Sequence, residues 1–194
     1  MKTLIGIDIQ NGFITGSLKN DLAKEALPRV IEKVKNWEGP IIFTQDTHDP
    51  ILYKYSMEGK LPLHCCPAVD EHDWDIVEEV MKAAGVDMTE SFTAQDEDPT
   101  KRKLVTTLQK GTFGCLNWYQ SDPETIHEIL DQAESITVIG FVSEICVIAN
   151  LVILRAMFPN KRIIWDSTCS AGITKAAHEA AKLIARNQMI EVIE

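Results

Sequence analysis

The sequence predicts an α/β protein: a single domain over residues 1–194, with a mostly parallel central sheet of about six strands and helices on both faces. Three observations lead to this class. Short β-branched apolar runs alternate with segments of helical period, most of the runs are apolar on both faces, and no repeat, low-complexity tract or Gly/Ser linker divides the chain. The length also suffices to enclose one sizeable core.

In chain order, the runs at 3–7, 40–44, 103–108, 136–141 and 161–165, with a shorter one at 189–193, read as strands. Segments 22–37, 74–84, 123–132, 143–157 and 174–187 carry apolar residues at helical spacing. Within the fourth, 147–154 is apolar almost all round, which predicts the most buried helix. Two stretches break the alternation. The connection 47–73 holds Pro50, Pro62, Pro67 and three of the five histidines, and so long a loop in a compact domain points to function. Segment 85–101 is polar and charged and reads as a surface excursion or lid.

Composition narrows the function. Hydrophobic residues make up 45% and charged residues 25%, the mix of a globular chain rather than a disordered or membrane-spanning one. A net charge of −10 repels phosphate, which argues against nucleic acid and anionic membranes and for a small molecule or a protein as partner. Asp8 interrupts the only apolar run near the start, so no secretory signal is expected, and five cysteines without metal-finger spacing fit reduced thiols in the cytoplasm. Phosphate-loop, dinucleotide and Gly-x-Ser-x-Gly patterns are missing from the sequence.

Ligands of open parallel sheets gather at the carboxyl ends of the strands, so reactive residues there carry the most weight. The first strand ends at Asp8, the second at Asp46 with His48 beyond it, the third at Lys110, and the fourth is followed by Cys146. Cys146 falls in a strand-to-helix turn, where backbone N–H groups, the helix dipole and a nearby lysine favour a thiolate and can hold an oxyanion. Its alternative is a small buried core residue, the reading given to Cys65, Cys66, Cys115 and Cys169. Asp8 is either a structural acceptor for loop amides or the group that moves the thiol proton. Lys110 would ordinarily be solvated. Asp46 and His48, two apart on an extended segment, project to one side, and His64 can join them. One carboxylate and two imidazoles suit Zn²⁺ foremost, or Fe²⁺ or Mn²⁺, although loop histidines also serve as plain hydrogen-bonding groups. His72 and His127 have no partners at ligand spacing.

Together these residues resemble the isochorismatase-like cysteine hydrolases, a Rossmann-like family, and within them the nicotinamidases. The motifs are Asp8-Ile-Gln-Asn-Gly-Phe13, Thr44-Gln-Asp-Thr-His48, Pro62-Leu-His-Cys65, Lys110, Gly140 through Cys146-Val147, and Asp166 to Ser170 with His178 downstream as a structural residue. The resemblance implies a catalytic trio of Asp8, Lys110 and Cys146, a non-proline cis peptide between Phe141 and Val142, and an oxyanion hole from the amides of Val142 and Cys146. It further implies Phe13 as an aromatic wall for the substrate and a divalent metal on Asp46, His48 and His64, with Glu58 as a candidate fourth ligand. The reaction it implies is hydrolysis of nicotinamide to nicotinate and ammonia through a thioester, by a homo-oligomer. The alternative is a relative acting on a carbamoyl or ureido compound without catalytic metal, and a third reading is a silent scaffold that binds a protein. Three positions depart from the family pattern: Gly12 replaces an acid, Thr47 a tryptophan, and Leu61 a ring-packing tryptophan. They predict a wider or differently shaped pocket.

Overall fold

The computed structural model describes residues 1–86, 104–119 and 123–194. Six strands, β1 (Lys2–Ile7), β2 (Ile41–Asp46), β3 (Val105–Lys110), β4 (Ser135–Phe141), β5 (Arg162–Ala171) and β6 (Glu191–Ile193), form one sheet in the order β3-β2-β1-β4-β5-β6. All neighbouring pairs are parallel. Chain order reverses between β1 and β4, and that switch point opens a crevice at the carboxyl ends of those two strands.

Helices cover both faces, as the two-sided apolar strands require. Alternate residues of β1 feed separate clusters: Ile5 and Ile7 pack with Leu130, Leu151 and Leu154 on one side, and Leu4 packs with Phe43, Val30, Val34 and Val80 on the other. The first side is formed by α6 (Pro123–Gln132), α7 (Ile148–Met157) and α8 (Lys175–Asn187), and the second by α2 (Asp21–Lys35) and α5 (Glu78–Ala83). Asn20 caps α2 by accepting the N–H groups of Leu22 and Ala23, which sets where that helix starts beside the crevice.

The remaining helices are short: α1 (Asn11–Ile14), α3 (Pro50–Tyr55) and α4 (Glu71–Trp74). The last two lie in the connection 47–73, with a single 3₁₀ turn (Glu58–Lys60) between them. The segment expected to be helical over 74–84 divides instead. Trp74 ends α4, and Ile76 bridges antiparallel to Gln10 before α5 begins, because Asn11 N–H donates to the Asp75 carbonyl and Val77 N–H to that of Ile9. β5 runs well past the expected end at Trp165, as Ser170 and Ala171 pair with Gly140 and Phe141 beyond a register shift. α7 is less enclosed than its composition predicts: Val147, Leu151 and Leu154 are buried, whereas Val152 is 39% exposed. Of the excursion expected over 85–101, residues 87–101 lie outside the described residues.

Candidate active site

β1 and β4 approach closely at the switch point. Gly140, with φ of 120°, pairs with Ile7, and a Cβ there would meet the Ile7 carbonyl oxygen at 2.0 Å. Only glycine lets the strands meet so, and the next residue of β1's chain is Asp8. Asp8 itself takes the left-handed region (φ 47°), a costly conformation for a residue with a side chain, and turns its carboxylate into the crevice. Thr44 of β2 fixes it twice: its hydroxyl donates to Asp8 Oδ1 at 2.6 Å and accepts the Asp8 N–H at 3.1 Å.

Lys110, the last residue of β3, is almost fully buried and serves as the hub. Its Nζ lies 2.7 Å from Asp8 Oδ2 and 3.0 Å from Asp46 Oδ1, donates to the Thr112 carbonyl at 3.0 Å, and stands 3.8 Å from Cys146 Sγ. Cys146 is carried by a π-helical turn (Ser143–Val147) in which Val147 N–H reaches back to the Val142 carbonyl. Such widened turns are a recurrent feature of functional sites. Buried Asn150 braces the turn, donating to the Cys146 and Phe113 carbonyls and accepting the Cys115 N–H. The Ser143 hydroxyl pairs with His178 Nδ1 at 2.7 Å, which ties the turn to α8. The peptide between Phe141 and Val142 is cis.

Burial pushes the Cys146 thiol well above its ordinary pKa; Lys110 pulls it down, and Asp8 and Asp46 push it further up. Burial likewise raises Asp8, against the pull of Lys110. Burial also penalises ionised Asp46, yet hydrogen bonds from His48 and His64 and the charge of Lys110 hold it far below the usual carboxylate range. Two carboxylates sharing one ammonium group are thus pushed apart, Asp8 toward proton exchange and Asp46 toward permanent charge.

Asp46, His48 and His64 converge beside this hub. The Asp46 Oδ2 atom lies 3.0 Å from His48 Nε2 and 3.2 Å from His64 Nε2, all three side chains are buried, and one donor atom from each falls within 4.8 Å of the others. The His64 Nδ1 atom is 2.9 Å from the Pro62 carbonyl, and donation there leaves the Nε2 lone pair facing its partners. Tyr53 packs edge-on to His64 and tilted against His48. Glu58 Oε2 stands 3.7 Å from His48 Nε2, buried and without a hydrogen-bond partner. The donor set of Asp46, His48 and His64 fits a divalent ion, and the orphaned Glu58 oxygen lies beside it.

Both groups face one cavity of about 600 Å³, lined by Cys146, Val142, His64, Phe13, Leu61 and Phe113 among others. Phe13 is buried with its ring edge-on to His64 at 5.8 Å. Two of the departures are filled from elsewhere. The Asp73 carboxylate lies against Gly12, and the Trp74 indole donates to Thr47 Oγ1 at 2.9 Å, so an acid and an indole reach positions 12 and 47 from α4. His72 and His127 stay apart from the cluster, and all five cysteines are buried and unpaired.

Sequence reasoning gave no role to Thr44, Tyr53, Asp73 or Asn150. Asn150 leaves a signal, a lone amide in an apolar helix, and Thr44 leaves a weaker one at the end of an apolar strand. Tyr53 and Asp73 leave none, since their partners lie across loops.

A doubly wound parallel sheet with acid, ammonium and thiol gathered at its switch point defines an α/β enzyme-like architecture. The chain belongs to the isochorismatase family: the Isochorismatase domain model matches residues 2–194. Solved structures share the fold at low identity. Nicotinamidase/pyrazinamidase PncA from Bacillus subtilis superposes with a TM-score of 0.75 at 18% identity, over 100% of this chain and 99% of that one. Pyrazinamidase of Pyrococcus horikoshii in complex with zinc gives 0.72 at 18%, over 100% and 98%. N-carbamoylsarcosine amidase from Thermoplasma acidophilum gives 0.67 at 16%, over 100% and 95%. No curated protein sequence matches the chain significantly. The isochorismatase family is a family of hydrolases that act on small amide substrates. Among the described residues, no helix is long and apolar enough to cross a membrane.

Proposed function

We propose that the chain hydrolyses nicotinamide to nicotinate and ammonia, with Cys146 as nucleophile, Asp8 as proton carrier and Lys110 as the cation that holds them. One observation carries the reading: a single buried ammonium group touches Asp8, Asp46 and Cys146, and Cys146, Asp46 and His64 line one cavity. Asp8 accepts the thiol proton as Sγ attacks the carboxamide carbon, and the backbone N–H groups of Val142 and Cys146 receive the oxyanion. Asp8 then passes the proton to the departing nitrogen, so ammonia leaves and a thioester remains on Cys146. In the second half Asp8 takes a proton from water, the hydroxide displaces Sγ, and nicotinate departs as the thiol is restored.

Asp46, His48 and His64, with Glu58, would hold a divalent metal, zinc foremost and iron or manganese as alternatives. When bound, that ion supplies a Lewis-acid anchor for the pyridine nitrogen. Phe13 supplies the wall against which the ring rests, and Lys110 keeps Asp46 ionised as a ligand while it orients Asp8. Five buried, unpaired thiols support a reducing compartment such as the cytoplasm. The exposed apolar side chains Ile51, Leu52, Tyr55 and Met57 beside the site support a homo-oligomer.

A second reading, hydrolysis of a carbamoyl or ureido compound without catalytic metal, has room in the same cavity. Nicotinamide occupies under about 300 Å³ even if each heavy atom is granted a full water's share, against a cavity of about 600 Å³. The test is ammonia release across pyridine carboxamides and ureido acids, with metal analysis of the same sample. Release from nicotinamide that stops with Cys146→Ala supports the proposal. Turnover that survives Cys146→Ala removes that thiol from the mechanism, and release from ureido acids alone in a metal-free sample selects the second reading.

A further inference from the structure

Asp73 lies outside the two groups just described, yet it is buried and bonded to the backbone beside His64 and to the first loop at the cavity. Its Oδ1 accepts the Ser17 N–H at 2.7 Å, and its Oδ2 accepts the Ser17 hydroxyl at 2.8 Å and the Cys65 N–H at 2.8 Å. Burial opposes its charge, but those donors and His64 hold the carboxyl below its ordinary value. The first loop is shaped around it: a Cβ at Gly16 would stand 2.1 Å from Asp73 Oδ1, and one at Gly12 would stand 3.0 Å from Oδ2. Both glycines are therefore room for this carboxylate.

The Cys65 backbone is the bracket between the two histidines. Its N–H is on Asp73, its carbonyl accepts the His48 N–H at 3.0 Å, it follows His64 directly, and it holds a left-handed φ of 46°. A non-glycine residue keeps such a conformation where its surroundings over-determine it, and Asp73 supplies the side-chain acceptor that does so. At the other end Ser17 lines the substrate cavity.

We infer that Asp73 is a positioning residue: it clamps the His64–Cys65 corner to the first loop, so that the imidazoles of His48 and His64 stand preassembled around Asp46 for a divalent ion. The inference rests on the proposed metal role of that trio. Asp73→Asn preserves shape but sets an amide N–H₂ against N–H or O–H donors, and outer partners of metal ligands are commonly worth about ten- to hundred-fold in affinity.

The test is Zn²⁺ titration of the chelator-stripped full chain against a chromophoric competitor, beside thermal melting and the rate at which iodoacetamide alkylates Cys146. Asp73→Asn is expected to weaken Zn²⁺ by that factor while the alkylation rate stays within about two-fold of wild type, since Asp8 and Lys110 do not touch Asp73. A merely structural role would lower the melting temperature and leave the Zn²⁺ affinity unchanged, and that result overturns the inference. Gly16→Ala pushes on the same carboxylate with the charge intact; it should weaken Zn²⁺ in the same direction, and it decides the matter if Asp73→Asn does not fold. Wild-type protein that binds no Zn²⁺ would instead overturn the metal reading beneath.

Discussion

Lys110→Met is the most informative single perturbation of the hub. Methionine nearly preserves volume but removes the charge, leaving Asp8 and Asp46 buried without their shared counter-ion, formerly 2.7 Å and 3.0 Å away. Removing one partner of a buried ion pair typically costs about 3–5 kcal/mol, a large part of the ~5–15 kcal/mol that holds a domain folded. For a chain of this size that corresponds to a fall in melting temperature of roughly 6–20 °C. The pH dependence has a definite sign. Asp8 is raised in the folded state already, and losing the Lys110 pull raises it further, so its ionisation costs stability as pH rises from the unfolded value through the folded one. The variant should therefore lose more stability at pH 8 than at pH 5. Urea unfolding of chelated wild-type and variant proteins at the two pH values measures both effects. A variant within 1 kcal/mol of wild type, equally at both pH values, would show that the ammonium group is not the counter-ion of this pair.

Gly140→Ala should separate β1 from β4 at the crevice and cost about 1–3 kcal/mol from overpacking alone, with a larger loss of ammonia release than of melting temperature; unchanged turnover would deny the close approach any part in aligning Asp8 with Cys146. His64→Ala should abolish stoichiometric metal while iodoacetamide still reaches Cys146, and stoichiometric metal in the variant would demote His64 as a ligand. Leu61→Trp should narrow the cavity, improving KM for nicotinamide and excluding carboxamides with bulky ring substituents; no change in this ratio would place the substrate away from Leu61.

The strands were legible because a parallel sheet buries both faces, and an apolar run ending in Asp8, Asp46 or Lys110 breaks its own pattern where a charge must be used or paired. Their carboxyl ends then gathered in space through the strand order, which alternation alone does not specify. β5 was legible only to Trp165, because Ser167–Ser170 is polar and is drawn into the sheet by pairing with β4, a long-range interaction that local propensity does not encode. The 74–84 segment failed for the same reason: tertiary bonds from Ile9–Asn11 unwind a stretch with helical periodicity. At the site, residue types at strand ends pointed to Asp8, Lys110 and Cys146, but not to how deeply the thiol is buried. A helix start pulls a thiol's pKa down, whereas burial beside two carboxylates pushes it up.

That balance of charges makes a last, separable prediction. In the chelated protein the Cys146 thiol feels Lys110 lowering its pKa and Asp8 and Asp46 raising it, with burial the largest influence. Asp46→Asn removes one raising charge and also frees Lys110 to pair with Asp8 alone, which weakens Asp8's own upward push on the thiol. The pH at which iodoacetamide alkylates Cys146 half-maximally should therefore move down in Asp46→Asn and up in Lys110→Met. Alkylation isolates the thiol from substrate and metal, so a shift cannot be blamed on lost ligand binding. If both variants moved the profile the same way, solvent entry rather than charge would govern the thiol, and the hub would be a packing feature of the crevice instead of the device that sets which group carries the proton.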